Sequence, residues 1–294
     1  MTGGRRKTKA ILQVIGAAVL FSTGGAAIKT AAFSALQVAS IRSGIAAAML
    51  LVCFKGRTRW SRPVAAIAVV YAATLVLFVG ATKLTTAASA IFLQSTAPLY
   101  VALLAPVLLR ERFRRRDVTI LVAVGVGLAF CLAGSPASSV TAPDPATGNV
   151  LGAICGLTWA LTLLGLRWGA RRGAGIGSSA VIAGNALAFL AGVPSLWPIP
   201  AAPAADWATL GYLGVFQIGV AYILLTRAAG TLSALHMSLL LLLEPVLNPF
   251  WAWLVRGEEP GASTLAGGAI ILAASTRHAI AAGYDSGTQS TKTV

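Results

Sequence analysis

Charged residues are scarce in this chain of 294 residues: they make up 11% of it, and only eight residues are Asp or Glu. A soluble domain usually carries about 25% charged residues. The charges present are too few to coat a soluble domain of this length, so the composition excludes a soluble globular protein. The 57% content of hydrophobic residues also excludes a disordered chain, because disorder requires low hydrophobicity.

The residues that build catalytic and metal sites are few as well. There are two His and three Cys, and the spacing of Cys53, Cys131 and Cys155 suits neither a metal site nor a disulfide framework. We interpret these cysteines as small packing residues. The chain also lacks a glycine-rich loop followed by Lys-Ser or Lys-Thr, the phosphate-binding motif of ATPases. We therefore expect no metal, no cofactor and no enzymatic activity.

Long apolar runs are the main feature that the chain does have. A membrane-spanning helix needs about 20 mostly apolar residues, and ten stretches approach or exceed this length. They are continuously apolar and do not alternate as the strands of a membrane β-barrel do. The sequence therefore predicts an all-α polytopic membrane protein in a lipid bilayer. The ten predicted spans, numbered in chain order, cover residues 10–29, 33–54, 63–83, 86–109, 117–135, 148–168, 176–197, 206–228, 232–255 and 262–281.

Basic residues lie predominantly on one side of these spans. When the N-terminus is placed in the cytoplasm, nineteen of the 23 Lys and Arg residues fall in cytoplasmic tails and loops, and three fall outside. This asymmetry predicts that both termini are cytoplasmic. Because the charges are spread over short loops, we expect no nucleic acid partner. The short tails and the Ala-rich composition favour a bacterial inner membrane, and the oligomeric state stays open, with a monomer as one option.

The chain repeats itself with an offset of 147 residues. Pro98 aligns with Pro245, and Glu111 aligns with Glu258. Each half contains five spans, an odd number, so the second half must enter the membrane from the opposite side. Inverted repeats of this kind are typical of secondary transporters, whose substrate site lies near the midplane where the halves meet. The predicted repeats cover residues 10–135 and 148–281.

The repeated motif links this chain to a known family. Its two copies are Ser95-Thr96-Ala97-Pro98-Leu99 followed by Glu111, and Glu244-Pro245-Val246 followed by Gly257-Glu258. With ten spans in two repeats, the chain resembles the drug/metabolite transporter superfamily with EamA-type repeats, and within it the YddG-type exporters of aromatic and other amino acids. The resemblance implies a central cavity lined by the first four spans of each half, spans five and ten outside it, and transport by alternating access.

Two charged residues stand deep within the spans and are candidates for the site. Charge inside a membrane is costly and is a functional hypothesis by default. Glu244 is the sole acid in mid-span, and the following Pro245 frees the carbonyl of Leu241. Glu244 either takes a proton or pairs with a substrate ammonium, or it is a structural residue that fixes the kink. Arg42 either binds a substrate carboxylate or, the reading we favour, is structural and pairs with Glu244 or with backbone carbonyls.

Further candidates are polar, aromatic and proline residues within the spans that the resemblance assigns to the cavity. Each of the polar and aromatic ones has an equally good or better alternative role in helix packing. The prolines mark kinks and therefore gates. The candidates are Gln94 and Gln217, the aromatic residues Phe78, Phe92, Trp159 and Tyr222, and Pro98 and Pro245.

From these features we expect an exporter of small metabolites, with neutral amino acids, the aromatic ones among them, as the favoured cargo. An exporter of cationic drugs or of other small metabolites is the alternative, because a single mid-span acid also suits a cation.

Overall fold

The computed structural model describes residues 3–56, 58–111, 115–133, 142–173, 175–256, 262–263, 265–274 and 277. Within these residues the regular secondary structure is helical throughout. A 3₁₀ turn follows α9 at Val193–Ser195, and a π-helical segment, Leu213–Val220, joins α10 to α11 without interruption. The helices are α1 (Gly3–Ser22), α2 (Gly24–Thr30), α3 (Ala35–Cys53), α4 (Arg62–Leu84), α5 (Ala87–Gln94), α6 (Ala97–Leu109), α7 (Arg115–Ala133), α8 (Pro145–Arg172), α9 (Ile176–Gly192), α10 (Ala204–Tyr212), α11 (Ala221–Ala228), α12 (Ala234–Leu240), α13 (Leu243–Arg256) and α14 (Leu265–Ala274).

These helices account for all ten predicted spans. Seven helical runs among the described residues are long and apolar enough to cross a membrane. Three shorter apolar helices occupy the positions of spans five, nine and ten: Asp117–Phe130, Ala234–Asn248 and Leu265–Ala274. The protein is therefore an all-α, multi-pass membrane protein, as the sequence predicts. Span ten, predicted over 262–281, lies partly outside the described residues.

Packing between the two halves follows the inverted repeat. The first span of one half packs on the third span of the other, since α1 contacts α11 and α4 contacts α8. The second spans of both halves, α3 and α9, pack on each other. In both cases a helix of one half makes the same contact that its equivalent makes in the other half, as a two-fold relation between the halves requires. It gives the halves a shared interface, and the centre of that interface holds the candidate site.

Spans five and ten lie outside this interface. A Cβ atom added to Gly127 of α7 would lie 2.9 Å from the carbonyl oxygen of Gly267 in α14, so the two helices are in close contact. Val124, Leu128 and Ile271 from these helices form one apolar cluster with residues of α5 and α12. The peripheral position of both helices agrees with what the family resemblance implies.

Two spans are broken at the predicted proline sites. The fourth span ends one helix at Gln94 and resumes at Ala97, just before Pro98. The ninth span is interrupted after Leu240 and resumes just before Pro245. Proline has no N–H with which to continue the helical ladder. Helices thus end and resume beside both prolines, in corresponding spans of the two halves.

Two further irregularities were not apparent from the sequence. The first span breaks at Thr23, between α1 and α2, where the Thr23 hydroxyl donates to the carbonyl of Leu20 at 2.8 Å. The eighth span contains the π-helical segment, in which Gly214 packs against Ile45 of α3. A π-helical turn shifts the register of the side chains that follow it and is frequent at functional sites. Thr23 and this segment border the same central region as the two proline breaks.

Small residues let α8 approach the fourth span closely. A Cβ atom at Gly156 would lie 2.7 Å from the Leu93 carbonyl oxygen and from the Thr96 hydroxyl, and one at Gly148 would lie 2.6 Å from the Thr85 nitrogen. Glycines at four-residue spacing on α8 therefore allow the close contact between helices. This contact places α8 directly against the break between α5 and α6.

Candidate functional site

A small central cavity lies at the interface of the two halves. Its volume is about 30 Å³, room for two or three water molecules. Seven of the eight side chains predicted for the cavity line it. The lining residues are Phe21, Arg42, Thr74, Leu75, Phe78, Gln94, Trp159, Gln217, Ile218, Tyr222 and Glu244.

Arg42 is held in place by both halves of the protein. Its side chain is 1% exposed. One guanidinium nitrogen, Nη1, donates to Oε1 of Gln217 at 3.2 Å, and Nη2 donates to the carbonyl of Leu75 at 3.1 Å. The third, Nε, has no hydrogen-bond partner among the described residues. The guanidinium is therefore positioned by a side chain and a backbone carbonyl and retains a free donor in a buried site.

Glu244 reaches the cavity from the broken ninth span. The break leaves the Leu241 carbonyl to accept from the Glu244 backbone N–H at 2.9 Å, in place of the bond that Pro245 cannot make. The carboxylate is 5% exposed and forms no ion pair with Arg42 within 4.0 Å in the described part of the chain. The pairing of Arg42 with Glu244, one of the structural roles considered above, is therefore absent here. The guanidinium of Arg42 and the carboxyl group of Glu244 therefore line one cavity without a direct ion pair.

Aromatic rings form one wall of the cavity. Phe21 packs edge-on against both Trp159 and Tyr222, with ring centroids 5.9 and 5.3 Å apart. Tyr71 backs this group, because its ring lies 4.5 Å from that of Tyr222 and its hydroxyl accepts from Asn185 at 3.0 Å. These contacts hold the rings in place, so the cavity has a rigid apolar wall on this side.

Polar groups of the fourth, third and sixth spans meet on another side. The Cys155 thiol lies 3.7 Å from Oε1 of Gln94 and 3.6 Å from the Thr74 carbonyl. The hydroxyls of Thr74 and Thr162 are 3.2 Å apart. Gln94 thus lines the cavity from the last position of α5, next to the break before Pro98. Within the residues that the structure describes, no three His, Cys, Asp or Glu side chains come together as a metal site.

The structure does not place Phe92 at the cavity. Its ring is 2% exposed and packs with Leu239, Leu242 and Ile271 in the cluster that faces α7 and α14. Phe92 lies two residues before Gln94, which places the two side chains on different faces of α5. The prediction for Phe92 was therefore wrong about which face of the helix carries its side chain. A largely apolar span does not reveal which face lines a cavity.

Four lining residues were missed by the sequence reasoning: Phe21, Thr74, Leu75 and Ile218. Phe21 had a usable signal, since it is an aromatic residue directly before the Ser22-Thr23-Gly24-Gly25 segment at which the first span breaks. Leu75 and Ile218 are ordinary apolar residues, and the contribution of Leu75 to Arg42 is a backbone carbonyl. No side-chain pattern distinguishes such positions.

The end of the bundle that carries most basic residues is closed by a link between the halves. Oε1 of Glu111 accepts from Nε of Arg167 at 2.9 Å, and its Oε2 accepts from the backbone N–H of Ala234 at 3.1 Å. Arg167 also donates to the Ala229 carbonyl at 2.8 Å. Glu111 belongs to the first half and its partners to the second. The equivalent acid of the second half, Glu258, lies outside the described residues.

The opposite end is joined by smaller contacts. Oδ2 of Asp206 accepts from the backbone N–H of Ala32 at 3.0 Å, and Lys83 donates to the Ala31 carbonyl at 2.6 Å. Asp144 caps the start of α8, and hydrogen bonds from the Thr147 side chain and backbone lower the pKa of the Asp144 carboxyl. Both ends of the central cavity are therefore bordered by polar contacts between spans.

The geometry is that of a membrane protein with two inverted halves, interrupted helices and a polar cavity between them, and sequence comparison decides the family. The model of the EamA-like transporter family matches twice, over residues 8–133 and 146–276. The chain belongs to the EamA-like transporter family. A solved crystal structure is 22% identical and superposes with a TM-score of 0.72, covering 92% of this chain and 96% of that one. At this identity the likeness shows the fold alone.

Two characterised relatives share a shorter region with this EamA-family chain. They are the pseudopaline exporter CntI of two Pseudomonas aeruginosa strains, UCBPP-PA14 and ATCC 15692, each 34% identical over 91 residues. The similarity covers 30% of this chain and 32% of each relative, so the chain spans about a third of the length of the curated relatives it matches.

Proposed function

We propose that this EamA-family protein is a secondary or facilitative exporter of small zwitterionic metabolites, with neutral and aromatic amino acids as the favoured cargo. The observation that carries the proposal is the central cavity, where Arg42, Glu244 and a wall of aromatic rings meet. An amino acid has a carboxylate, an ammonium group and a side chain, and the cavity offers one partner for each.

The carboxylate would bind Arg42, whose free Nε points to unused capacity for an anionic ligand. The ammonium would bind Glu244, whose carboxylate is buried without an ion-pair partner in the described part of the chain. The apolar side chain would lie against Trp159 and Tyr222. Binding would replace water at a site that is otherwise costly to keep charged.

The cavity volume of about 30 Å³ is too small for an amino acid. Substrate entry therefore requires the halves to separate, and we assign this structure to a contracted state of an alternating-access cycle. The breaks at Pro98 and Pro245 supply hinges in equivalent spans. The link between Glu111 and Arg167 would open when the cavity is exposed to the side that carries the basic loops.

Two observations support export across a bacterial inner membrane, with both termini cytoplasmic, as part of the proposal. The basic residues are concentrated at one end of the spans. The characterised relatives that share a third of their length with this chain are exporters. A monomer has one complete cavity and suffices for this cycle.

Export of a cationic drug is the second candidate, since Glu244 is an acid without an ion-pair partner in the described residues. Counterflow in proteoliposomes separates the two. Vesicles are loaded with unlabelled phenylalanine, tryptophan, threonine or methionine, and uptake of the same labelled amino acid is followed without an ion gradient. Accumulation above empty vesicles supports the amino acid exporter. A flat trace for all four with folded protein overturns it, and uptake of a labelled cationic drug in the same vesicles would establish the second candidate.

A further inference from the structure

A second cavity lies at the basic end of α6 and α8, away from the central one. It has a volume of about 610 Å³, within the range of small-molecule sites. Arg110, Arg171 and Arg172 line it, together with Trp168 and the last turn of α6. The cavity lies at the C-terminal ends of α6 and α8, close to where predicted spans four and six end.

Contacts with the protein hold two of the arginines of this cavity in position, but no carboxylate among the described residues pairs with their charges. Arg171 donates to the Leu109 carbonyl at 2.7 Å, and the guanidinium of Arg172 lies 4.9 Å from the centre of the Trp168 ring. No carboxylate lines the cavity, and none of the three arginines forms an ion pair within the described residues. The nearby Glu111 is occupied by Arg167 and the Ala234 backbone. Three positive charges therefore share a cavity without a counter-ion from the described part of the protein.

An exposed apolar stripe leads from this cavity toward the middle of the membrane. Leu99, Leu103 and Val107 lie four residues apart on α6, so they share one face of the helix. They are 39%, 73% and 77% exposed. The stripe ends at Arg110, which closes α6 in a left-handed conformation. A free anion would use only the arginines, whereas a lipid would use both the arginines and the stripe.

We propose that this cavity binds an anionic phospholipid, with its phosphate on Arg110, Arg171 and Arg172 and an acyl chain along the apolar stripe of α6. Basic pockets between spans on the cytoplasmic side suit anionic headgroups, and guanidinium groups match the geometry of phosphate. The site is on the cytoplasmic leaflet if the proposed orientation holds. It is separate from the substrate cavity and does not depend on the identity of the cargo.

The test is native mass spectrometry of the protein released from mixed phosphatidylglycerol and phosphatidylcholine micelles. The variant Arg110→Gln/Arg171→Gln/Arg172→Gln should retain phosphatidylglycerol about tenfold less than the wild type. Because Arg171 also holds the Leu109 carbonyl, the variant Arg110→Gln/Arg172→Gln spares that contact and should show the same direction. Both variants must elute as folded protein in size-exclusion chromatography.

The matched control is Arg59→Gln/Arg62→Gln/Arg227→Gln, which removes the same charge from exposed positions at the same end of the bundle. It should retain phosphatidylglycerol as the wild type does. Equal losses in the control and in both cavity variants would overturn the proposal in favour of unspecific charge attraction. Displacement of phosphatidylglycerol by millimolar inorganic phosphate would overturn it in favour of a site for free phosphate, and retention of phosphatidylcholine in equal amount would overturn the need for an anionic headgroup.

Discussion

At the scale of single residues, the proposed transport cycle depends on the two ionisable side chains of the central cavity, Arg42 and Glu244. Glu244 is buried and near the break of the ninth span, and it has no ion-pair partner among described residues. If it exchanges a proton or binds the substrate ammonium, removing its charge must change transport without dismantling the fold.

We expect Glu244→Gln to reduce phenylalanine counterflow at least tenfold and to abolish its dependence on pH, because the amide cannot exchange a proton. The measurement is counterflow in proteoliposomes over a range of pH. The matched control is Gln94→Glu in the Glu244→Gln background, which places a carboxyl group on another lining residue of the cavity and tests whether any acid suffices. Wild-type transport with wild-type pH dependence in Glu244→Gln would remove Glu244 from the mechanism.

We expect Arg42 to bind the carboxylate of the substrate. Phenylalaninamide lacks that carboxylate, so it should compete with labelled phenylalanine at least tenfold more weakly than unlabelled phenylalanine does in the wild type. In Arg42→Lys, which keeps a charge but not the planar guanidinium, this difference should shrink. Equal competition by the two compounds in the wild type would assign Arg42 to the structural role that its bonds to Gln217 and Leu75 also fit.

The residue scale also shows what sequence reasoning can and cannot find. Arg42 and Glu244 were identifiable because a charge within an apolar span is rare and costly. Phe92 was misplaced because apolar residues occupy most positions around its span, so hydrophobicity does not separate the cavity face from the face that packs on α7 and α14. Phe21 was missed because its place at the cavity depends on the helix break at Thr23. This break occurs in a segment of Ser, Thr and Gly without a proline, so the sequence does not mark it clearly.

At the scale of helices, the paired breaks in spans four and nine are expected to act as hinges. Pro98→Ala restores the missing N–H and lets it bond to the Gln94 carbonyl, which would join α5 and α6. We expect slower counterflow at saturating phenylalanine with a less affected half-saturation concentration. A control at Pro106, a proline within α6 that is distant from the break, should change the rate less. An equal loss of rate in the Pro98 and Pro106 variants would contradict a hinge role of the break at Pro98.

The packing of α8 on the fourth span gives a stability prediction. In Gly156→Ala, the added Cβ would meet the Leu93 carbonyl at 2.7 Å, and overpacking of this kind costs about 1–3 kcal/mol. The midpoint of thermal unfolding in detergent should therefore fall by several degrees. In the control Gly125→Ala, no heavy atom lies within 4 Å of the new Cβ, so the midpoint should stay or rise. A fall of the same size in the control would contradict this packing.

The helical architecture was readable from the sequence because span length and the offset of 147 residues are properties of the chain alone. The same is true of the proline breaks, since the missing N–H is local. The π-helical segment and the break at Thr23 depend on close approaches between helices, such as Gly214 to Ile45 and Gly24 to Gln217. These are tertiary contacts between residues distant in sequence, so no local sequence pattern predicts them.

At the scale of the whole molecule, the link from Glu111 to Arg167 should hold the basic end of the bundle closed. Both side chains are 16% exposed, so the pair is largely shielded from water and its loss should matter more than that of a surface pair. Glu111→Gln should favour the state that is open to this end.

Cys155 provides a reporter for that opening, because it is buried beside Gln94 at the cavity. With Cys53 and Cys131 changed to Ala, maleimide should modify Cys155 several-fold faster in Glu111→Gln than in the parent protein. A control variant, Arg227→Gln, removes an exposed charge at the same end and should not change the rate. Equal rates for the parent and Glu111→Gln would contradict a role of this link in closure.

If one cavity between the inverted halves binds the substrate, substrate binding to the purified protein must depend on the residues that line this cavity. Labelled phenylalanine would be bound to purified protein in a scintillation proximity assay, with wild type, Arg42→Gln and Phe92→Leu compared. We expect saturable binding to the wild type and binding at least tenfold weaker in Arg42→Gln. Binding should be nearly unchanged in Phe92→Leu, since Phe92 lies outside the cavity. Saturable binding that survives in Arg42→Gln and is lost in Phe92→Leu would place the substrate elsewhere and contradict the account.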